Sequence, residues 1–307
     1  MAIKSYKGFD KNLRCRGFQY KIGGIYEMDG KIKMRNRGFH ACESPFDVFD
    51  YYTMIDSRFC EVEQDGNISK WDRGTKICSS KIKIKAELKL ADMINLGVEW
   101  LKEITSPEKI KTSIKDNSSG NYAKIGSSGD EAQIGSSGYG AKIGSSGHGA
   151  QIGSSGNNAQ IGSSGYGAKI GSSGYGAKIG SSGNDAKIGS SGYGAKIGSS
   201  GYGAKIGSSG NNAQIGSSGD GAKISSSGYG AKIDSTGEDC VIMCAGINSV
   251  AKASKGSWVT LSEWSYSEEK QRYIPICVKT EFVDGEKIKA DTYYSLKGGV
   301  FVEWIND

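Results

Sequence analysis

From Ala123 onward the chain alternates apolar and polar positions in the triplet Ala-Lys-Ile, and the triplet returns every nine residues. Ile stands at 125, 134, 143, 152, 161, 170, 179, 188, 197, 206, 215, 224 and 233 without a gap, always with Ala two residues before it. The position between them is Lys, or Gln at 133, 151, 160 and 214. Gly-Ser-Ser-Gly follows each Ile, broken only at Ser225 and in Asp234-Ser235-Thr236-Gly237. Two variable residues complete the unit: Tyr-Gly six times, otherwise Asp-Glu, His-Gly, Asn-Asn, Asn-Asp or Asp-Gly. Degenerate copies flank the array at 114–122 and from Cys240 through Lys252.

This pattern predicts a mainly β protein built on a nonapeptide-repeat β-solenoid. A period of two puts Ala and Ile on one face of a short strand and Lys on the other. Three residues make no stable strand alone, but identical triplets stacked above and below complete their backbone hydrogen bonds and build a continuous Ala/Ile core. About two repeats per coil is the economical geometry, because a third would widen the interior beyond what Ala and Ile fill. At ~4.8 Å per coil, thirteen repeats give a rod of about 31 Å. Gly-Ser-Ser-Gly is expected to supply the corner.

The flanks carry other patterns. Short aromatic-rich runs at 4–9, 18–20, 25–28, 38–42 and 58–63 read as strands. Ser44-Pro45 opens a helix, 81–85 alternates as a strand, and 91–104 is an amphipathic helix. Residues 1–113 are thus an α+β N-terminal domain, 114–253 the solenoid, and 254–307 a small β domain. Both flanks are expected to cap the open ends of the coil. Asp284-Gly285 is a hairpin signal between Phe282-Val283 and Lys287-Ile288.

Composition sharpens this reading. Of 47 glycines, 33 lie between 114 and 239, while only 3 prolines occur, and no Gly-X-Y period exists. That excludes collagen, and the fixed Ile spacing excludes a flexible Gly/Ser linker. Net charge is +6, mild for a dedicated nucleic-acid binder. Seven cysteines (Cys15, Cys42, Cys60, Cys78, Cys240, Cys244, Cys277) show no metal-type pairing and read as free, mostly buried thiols. With no signal peptide or membrane-spanning run, the expected location is the cytoplasm of a bacterial host. No membrane partner, metal or cofactor is expected. A calcium-binding β-roll also repeats every nine residues, but it needs an Asp in each turn, which is missing here.

Candidate chemistry lies in two places. On the array, Lys124, Lys142, Lys169, Lys178, Lys187, Lys196 and Lys205, with Tyr139, Tyr166, Tyr175, Tyr193, Tyr202 and Tyr229, form exposed ladders. These ladders suit a binding surface, including a polyanion, although solubility explains them as well. In the N-terminal domain His40 is the one catalytic candidate, loosely resembling ADP-ribosyltransferase-like sites with Tyr6, Tyr51 or Tyr52 and Glu61 or Glu63. A strand-borne His is more often a satisfied structural residue, and Cys42 lacks the surroundings of a nucleophile.

The two ends carry a wider resemblance. Tyr6-Lys7-Gly8-Phe9, Cys15-Arg16-Gly17-Phe18-Gln19-Tyr20, Gly38-Phe39-His40-Ala41-Cys42 and Arg58–Glu63, together with Ile247–Ala251, Trp258–Trp264 and Val283–Thr292, resemble a family of uncharacterised proteins of phages, prophages and Firmicute-type bacteria. That resemblance implies a phage–host setting without a mechanism. The leading expectation is therefore a non-enzymatic interaction or scaffold protein. It would bind a host or phage protein and so inhibit a host defence component. An ADP-ribosyltransferase-like enzyme and nucleic-acid binding along the ladders are the alternatives, and homo-oligomerisation stays open.

Overall fold

A computed structural model describes residues 2–72, 74–106, 117–118 and 120–305. The chain divides into two compact units, residues 1–100 and 101–307.

In the first unit β1 (Ile3–Phe9), β2 (Arg14–Cys15), β3 (Phe18–Gln19), β4 (Ile25–Glu27) and β5 (Phe39–Cys42) precede the single helical turn α1 (Pro45–Val48). Two long strands, β6 (Arg58–Lys70) and β7 (Lys76–Leu88), follow, and helix α2 (Leu90–Ile104) runs on into the second unit, to which its residues from Leu101 belong. The sheet order is β4-β7-β5-β1-β6, and an additional β6–β7 pairing closes β5, β1, β6 and β7 into a small barrel. Phe9, Leu13, Tyr20, Val62, Ile82 and Ile84 fill part of it. Gln64 is fully buried and satisfied, accepting from the Ser5 hydroxyl at 2.8 Å and donating to the Phe39 carbonyl at 2.9 Å. Ser44 sits at the N-cap of α1 as expected, yet its hydroxyl makes no capping bond. The hydroxyl is buried without a partner among the described residues, and Pro45, at the first helical position, has no N–H to leave unsatisfied.

The second unit is the β-solenoid, of about eight turns. Strands pair in parallel with residue i opposite i+18, as in Gln133↔Gln151 and Ile134↔Ile152, so two nonapeptides make one coil. Consecutive repeats therefore alternate between two sheets. Sheet A takes Gln133–Ser136, Gln151–Ser154, Lys169–Ser172 and every second strand to Val241–Cys244. Sheet B takes Lys124–Ser127, Lys142–Ser145 and the rest to Val250–Ala253. Every Ile of the array is buried between them, and so is every Ala from Ala141 on. The degenerate copy at 114–122 falls largely outside the described residues.

The corner differs from the sequence expectation. Each strand is Lys-Ile-Gly-Ser, so the alternation runs on for five residues: Ala, Ile and the first Ser inward, Lys and Gly outward. The turn is then Ser-Gly and the variable pair. Its left-handed residue is the second of that pair, with φ between 53° and 67° from Glu131 to Asp239. That explains why the position holds Gly, Asn or Asp in all but one full repeat: these residues take positive φ at least cost. The turn glycine answers to a different need. A Cβ on Gly174 would collide with the carbonyl oxygen of Gly156 one coil before, so the corners stack backbone on backbone.

The C-terminal strands continue the two solenoid sheets. Trp258–Ser267 adds in parallel to sheet A and Arg272–Phe282 pairs with it antiparallel, while Tyr294–Lys297 and Val300–Glu303 extend sheet B. Asp284-Gly285 makes a turn in which the Asp284 carboxylate accepts from the Glu286 and Ile288 amides. It makes no hairpin, because Val283 and Ile288 are buried in the end of the Ile/Ala core instead of pairing as strands.

Candidate functional site

The 18-residue coil sorts the predicted ladders onto separate surfaces. Lys169, Lys187 and Lys205, with Lys223, stand in one exposed row on sheet A and make no ion pair among the described residues. Lys124, Lys142, Lys178 and Lys196 belong to sheet B, where Lys178 is only 4% exposed. At the end of sheet B, Lys232 Nζ lies 4.3 and 4.2 Å from the Tyr293 and Trp304 rings, and Asp234 pairs with Lys252 at 3.1 Å.

The outward glycines differ in the same way. On sheet B, Gly126 and Gly144 lie under the last turn of α2, where a side chain would collide with Thr105. On sheet A, a Cβ at Gly153, Gly171 or Gly189 would meet nothing within 4 Å. The result is an open trough of about 1200 Å³ floored by glycine and edged by serine. The lysine row edges a second hollow of about 820 Å³ that shares the glycine floor. Beyond Lys223 the same face turns apolar: Val241, Met243, Trp258, Val278 and Phe282 are all exposed, with Trp258 and Phe282 ring centroids 5.1 Å apart.

The turns form two further ladders of different chemistry. One edge carries Tyr139, Tyr175, Tyr193 and Tyr229 among asparagines; the other carries Tyr166 and Tyr202 with Asp130, Glu131, Asp185, Asp220, Glu238 and Asp239. Most of these residues have structural work. Asn121, Asn157, Asn184 and Asn211 each accept the backbone amide of Tyr139, Tyr175, Tyr202 and Tyr229 one coil later, at 2.9–3.0 Å. Asp130 and Asp220 do the same for His148 and Glu238. Where an aromatic precedes an aromatic the rings meet instead, as in Tyr175–Tyr193, parallel within 3°. Tyr166 is bonded to Asp185.

In the first unit a cluster surrounds Lys7, which is 5% exposed although it carries an amine. Its Nζ donates to the His40 carbonyl at 3.0 Å and to Cys15 Sγ at 3.5 Å, and it faces the Phe9 and Tyr20 rings at 5.3 and 5.9 Å. Burial pushes its pKa down. Cys15 Sγ lies 3.0 Å from the Tyr52 hydroxyl. Tyr52 can lie there because Gly8 has no side chain to strike its ring. Burial also raises the phenols of Tyr51, to about 12, and of Tyr52.

His40 is used up structurally. Its Nε2 accepts the Arg35 amide at 2.9 Å, and a backbone bond to Gly38 holds the other side of the ring. Burial first, then Lys76 and Lys7, lower its pKa to about 4, so the ring is neutral near pH 7. Glu61 and Glu63 are held by Lys4 at 2.8 Å and Lys85 at 2.9 Å. The structure thus gathers His40, Tyr51 and Tyr52 near Lys7, with both glutamates in surface ion pairs. Sequence reading missed Lys7, Cys15, Arg35 and Lys76, since no spacing marks a lysine that folding will bury.

Among the described residues no cluster of His, Cys, Asp or Glu could hold a metal, and no helix is long and apolar enough to cross a membrane. All seven cysteines are free, five of them buried.

Residues 3–96 match a family described as a domain of unknown function (DUF7666). The whole Lys7 cluster lies within that match. No curated protein and no solved structure matches the chain.

Proposed function

We propose that this chain is a non-enzymatic interaction protein that binds a partner protein along sheet A, in a phage–host setting where it blocks a host defence component. The observation that carries this reading is the unequal use of one sequence. Lys-Ile-Gly-Ser is repeated on both sheets, and on sheet B its glycines are closed over by the chain itself at Gly126 and Gly144. On sheet A the same glycines stay bare beside a row of like charges spaced ~4.8 Å apart, an arrangement that favours neither strand stability nor charge pairing. The face then runs into the apolar patch around Trp258, and an exposed patch rimmed by polar residues is a usual mark of a protein contact. The phage setting is supported by the resemblance of the two ends, and the inhibitory role joins that setting to the binding face.

The test is affinity capture from a lysate of the bacterial host. The double variant Gly171→Arg/Gly189→Arg folds freely, since nothing occupies the space, and fills the trough. The partner held by the wild-type chain and by His40→Ala should be held at least about tenfold more weakly by the double variant. Equal capture by all three removes sheet A from the account. The unpaired lysines also favour a second reading, a nucleic acid on the same face; a salt-dependent mobility shift abolished by Lys187→Glu/Lys205→Glu would replace the protein partner.

A further inference from the structure

We propose that the N-terminal unit binds a small phosphorylated molecule in a cationic site formed by Lys7, Arg16, Arg35 and Lys76. Three independent features of the site lead there.

The first is the charge. None of the four cations makes an ion pair among the described residues, and Lys7 is buried. Lys76 Nζ lies 3.8 Å above the Tyr51 ring and the Arg35 guanidinium 4.1 Å above the Trp71 ring. A guanidinium stacked on a ring keeps its in-plane N–H donors free, the geometry that grips a phosphate in a bidentate fashion. The cations repel one another: Lys76 is lowered first by burial and, against a raising effect of Cys42, by Arg35, Lys7 and Arg16. An anion bound among them would offset that repulsion.

The second is turn geometry. Arg16 stands with Gly17 in the two-residue turn between paired Cys15 and Phe18, and Arg35 in the tight turn closed by the Lys33–Arg37 bridge, with φ 51° and 66°. Both turns present an exposed arginine to the same cluster, where Arg16 and Arg35 each act on Lys76.

The third is positioning. His40 spends both ring nitrogens on the loop that carries Arg35, at 2.9 Å to the Arg35 amide, and passes its carbonyl to Lys7 at 3.0 Å. His40 therefore acts as a positioning residue that holds the two cations relative to each other. Lys7 forms the floor, Arg16 and Arg35 the rim, and exposed Tyr51 offers a ring face beside them.

The experiment titrates the full-length chain with inorganic pyrophosphate, ATP and ADP-ribose at ~50 mM salt, following heat and Trp fluorescence, since Trp71 lies under Arg35. At least one of the three should bind saturably, with added salt weakening it. Arg35→Gly and Lys76→Ala should each lower affinity about tenfold or more. Arg16→Gly and Arg35→Gly should leave the melting temperature unchanged or higher, because they relieve the left-handed arginines. Tighter binding of ADP-ribose than of pyrophosphate, which has the same two phosphates, assigns a contact beyond them, beside Tyr51; equal or weaker binding assigns the site to phosphate alone. The proposal fails if no anion binds more tightly to wild type than to Arg35→Gly and Lys76→Ala. It fails equally if only an oligonucleotide binds.

Discussion

At the scale of residues the repeat is legible position by position, and substitutions three residues apart should behave in opposite ways. Gly174→Ala puts a Cβ into the Gly156 carbonyl and should destabilise the protein by about 2 kcal/mol, the usual cost of overpacking. Gly171→Ala meets nothing and should be neutral or slightly stabilising, because alanine loses less backbone entropy on folding. Asn158 and Asp185, at φ 55° and 54°, should each lose about 1–2 kcal/mol on replacement by Val, while Gly is tolerated. Denaturant midpoints of the single variants check all of these. Ser181 points a buried hydroxyl inward with no partner among the described residues, so Ser181→Ala should raise stability by about 1 kcal/mol.

His40 gives a prediction in pH. Its pKa is about 4 in the folded chain against an ordinary 6.5. Between those values the unfolded chain binds a proton that the folded chain refuses. Stability should fall as pH drops below about 6.5 and level off below about 4. His40→Asn should flatten that part of the curve in urea titrations at pH 7, 5 and 4, while titrations of unchanged slope would mean the ring is solvated. Lys7 was not legible in sequence for a physical reason: its burial comes from pairing opposite Cys60 and from contact with His40, far along the chain. Arg35 sits in a local turn between Lys33 and Arg37 that no Gly, Asn or Asp marks at its left-handed position. The role of the second variable residue was half legible. Gly, Asn and Asp there share one property, tolerance of positive φ, but the glycines of Gly-Ser-Ser-Gly drew attention to the wrong position.

At the scale of elements the unit of construction is the coil of 18 residues, two strands and two turns. Deleting 18 residues, such as 160–177, keeps every later strand on its own sheet. Deleting nine moves each later strand to the opposite sheet, setting the continuation at Trp258 against the wrong neighbour. The 18-residue deletion should melt as one cooperative transition close to wild type. The nine-residue deletion should lose several degrees, or its C-terminal strands should become protease-sensitive. Equal behaviour of the two would contradict the two-repeat coil. The Ile/Ala period was enough to expect this geometry, because each nonapeptide contains one apolar strand and one turn. The C-terminal turn at Asp284 was not, since whether Val283 and Ile288 pair as strands or plug the core depends on the open end of the coil.

At the scale of the molecule, identical repeats have been put to different uses by their position. A nonapeptide cannot encode which sheet it joins; only the count of repeats does. Hence the sequence places all the lysines on exposed ladders alike, where the fold separates a bare row at Lys169, Lys187, Lys205 and Lys223 from Lys178, buried on the opposite sheet. The tyrosines suit a binding ladder by sequence, and the fold gives most of them a stacking or hydrogen-bonding role between coils. Among the described residues of the solenoid, the face of sheet A is left without internal work: its glycine floor, its lysine row and the apolar continuation at Val241, Met243 and Trp258.

Differential lysine labelling tests this most directly. The full-length chain is modified with an amine-reactive reagent in buffer and in host lysate, and each site is read by mass spectrometry. Lys169, Lys187, Lys205 and Lys223 should be protected in lysate, while solvent-facing lysines elsewhere, such as Lys11 and Lys270, react equally in both. Equal labelling of the sheet A row in buffer and lysate would contradict the account.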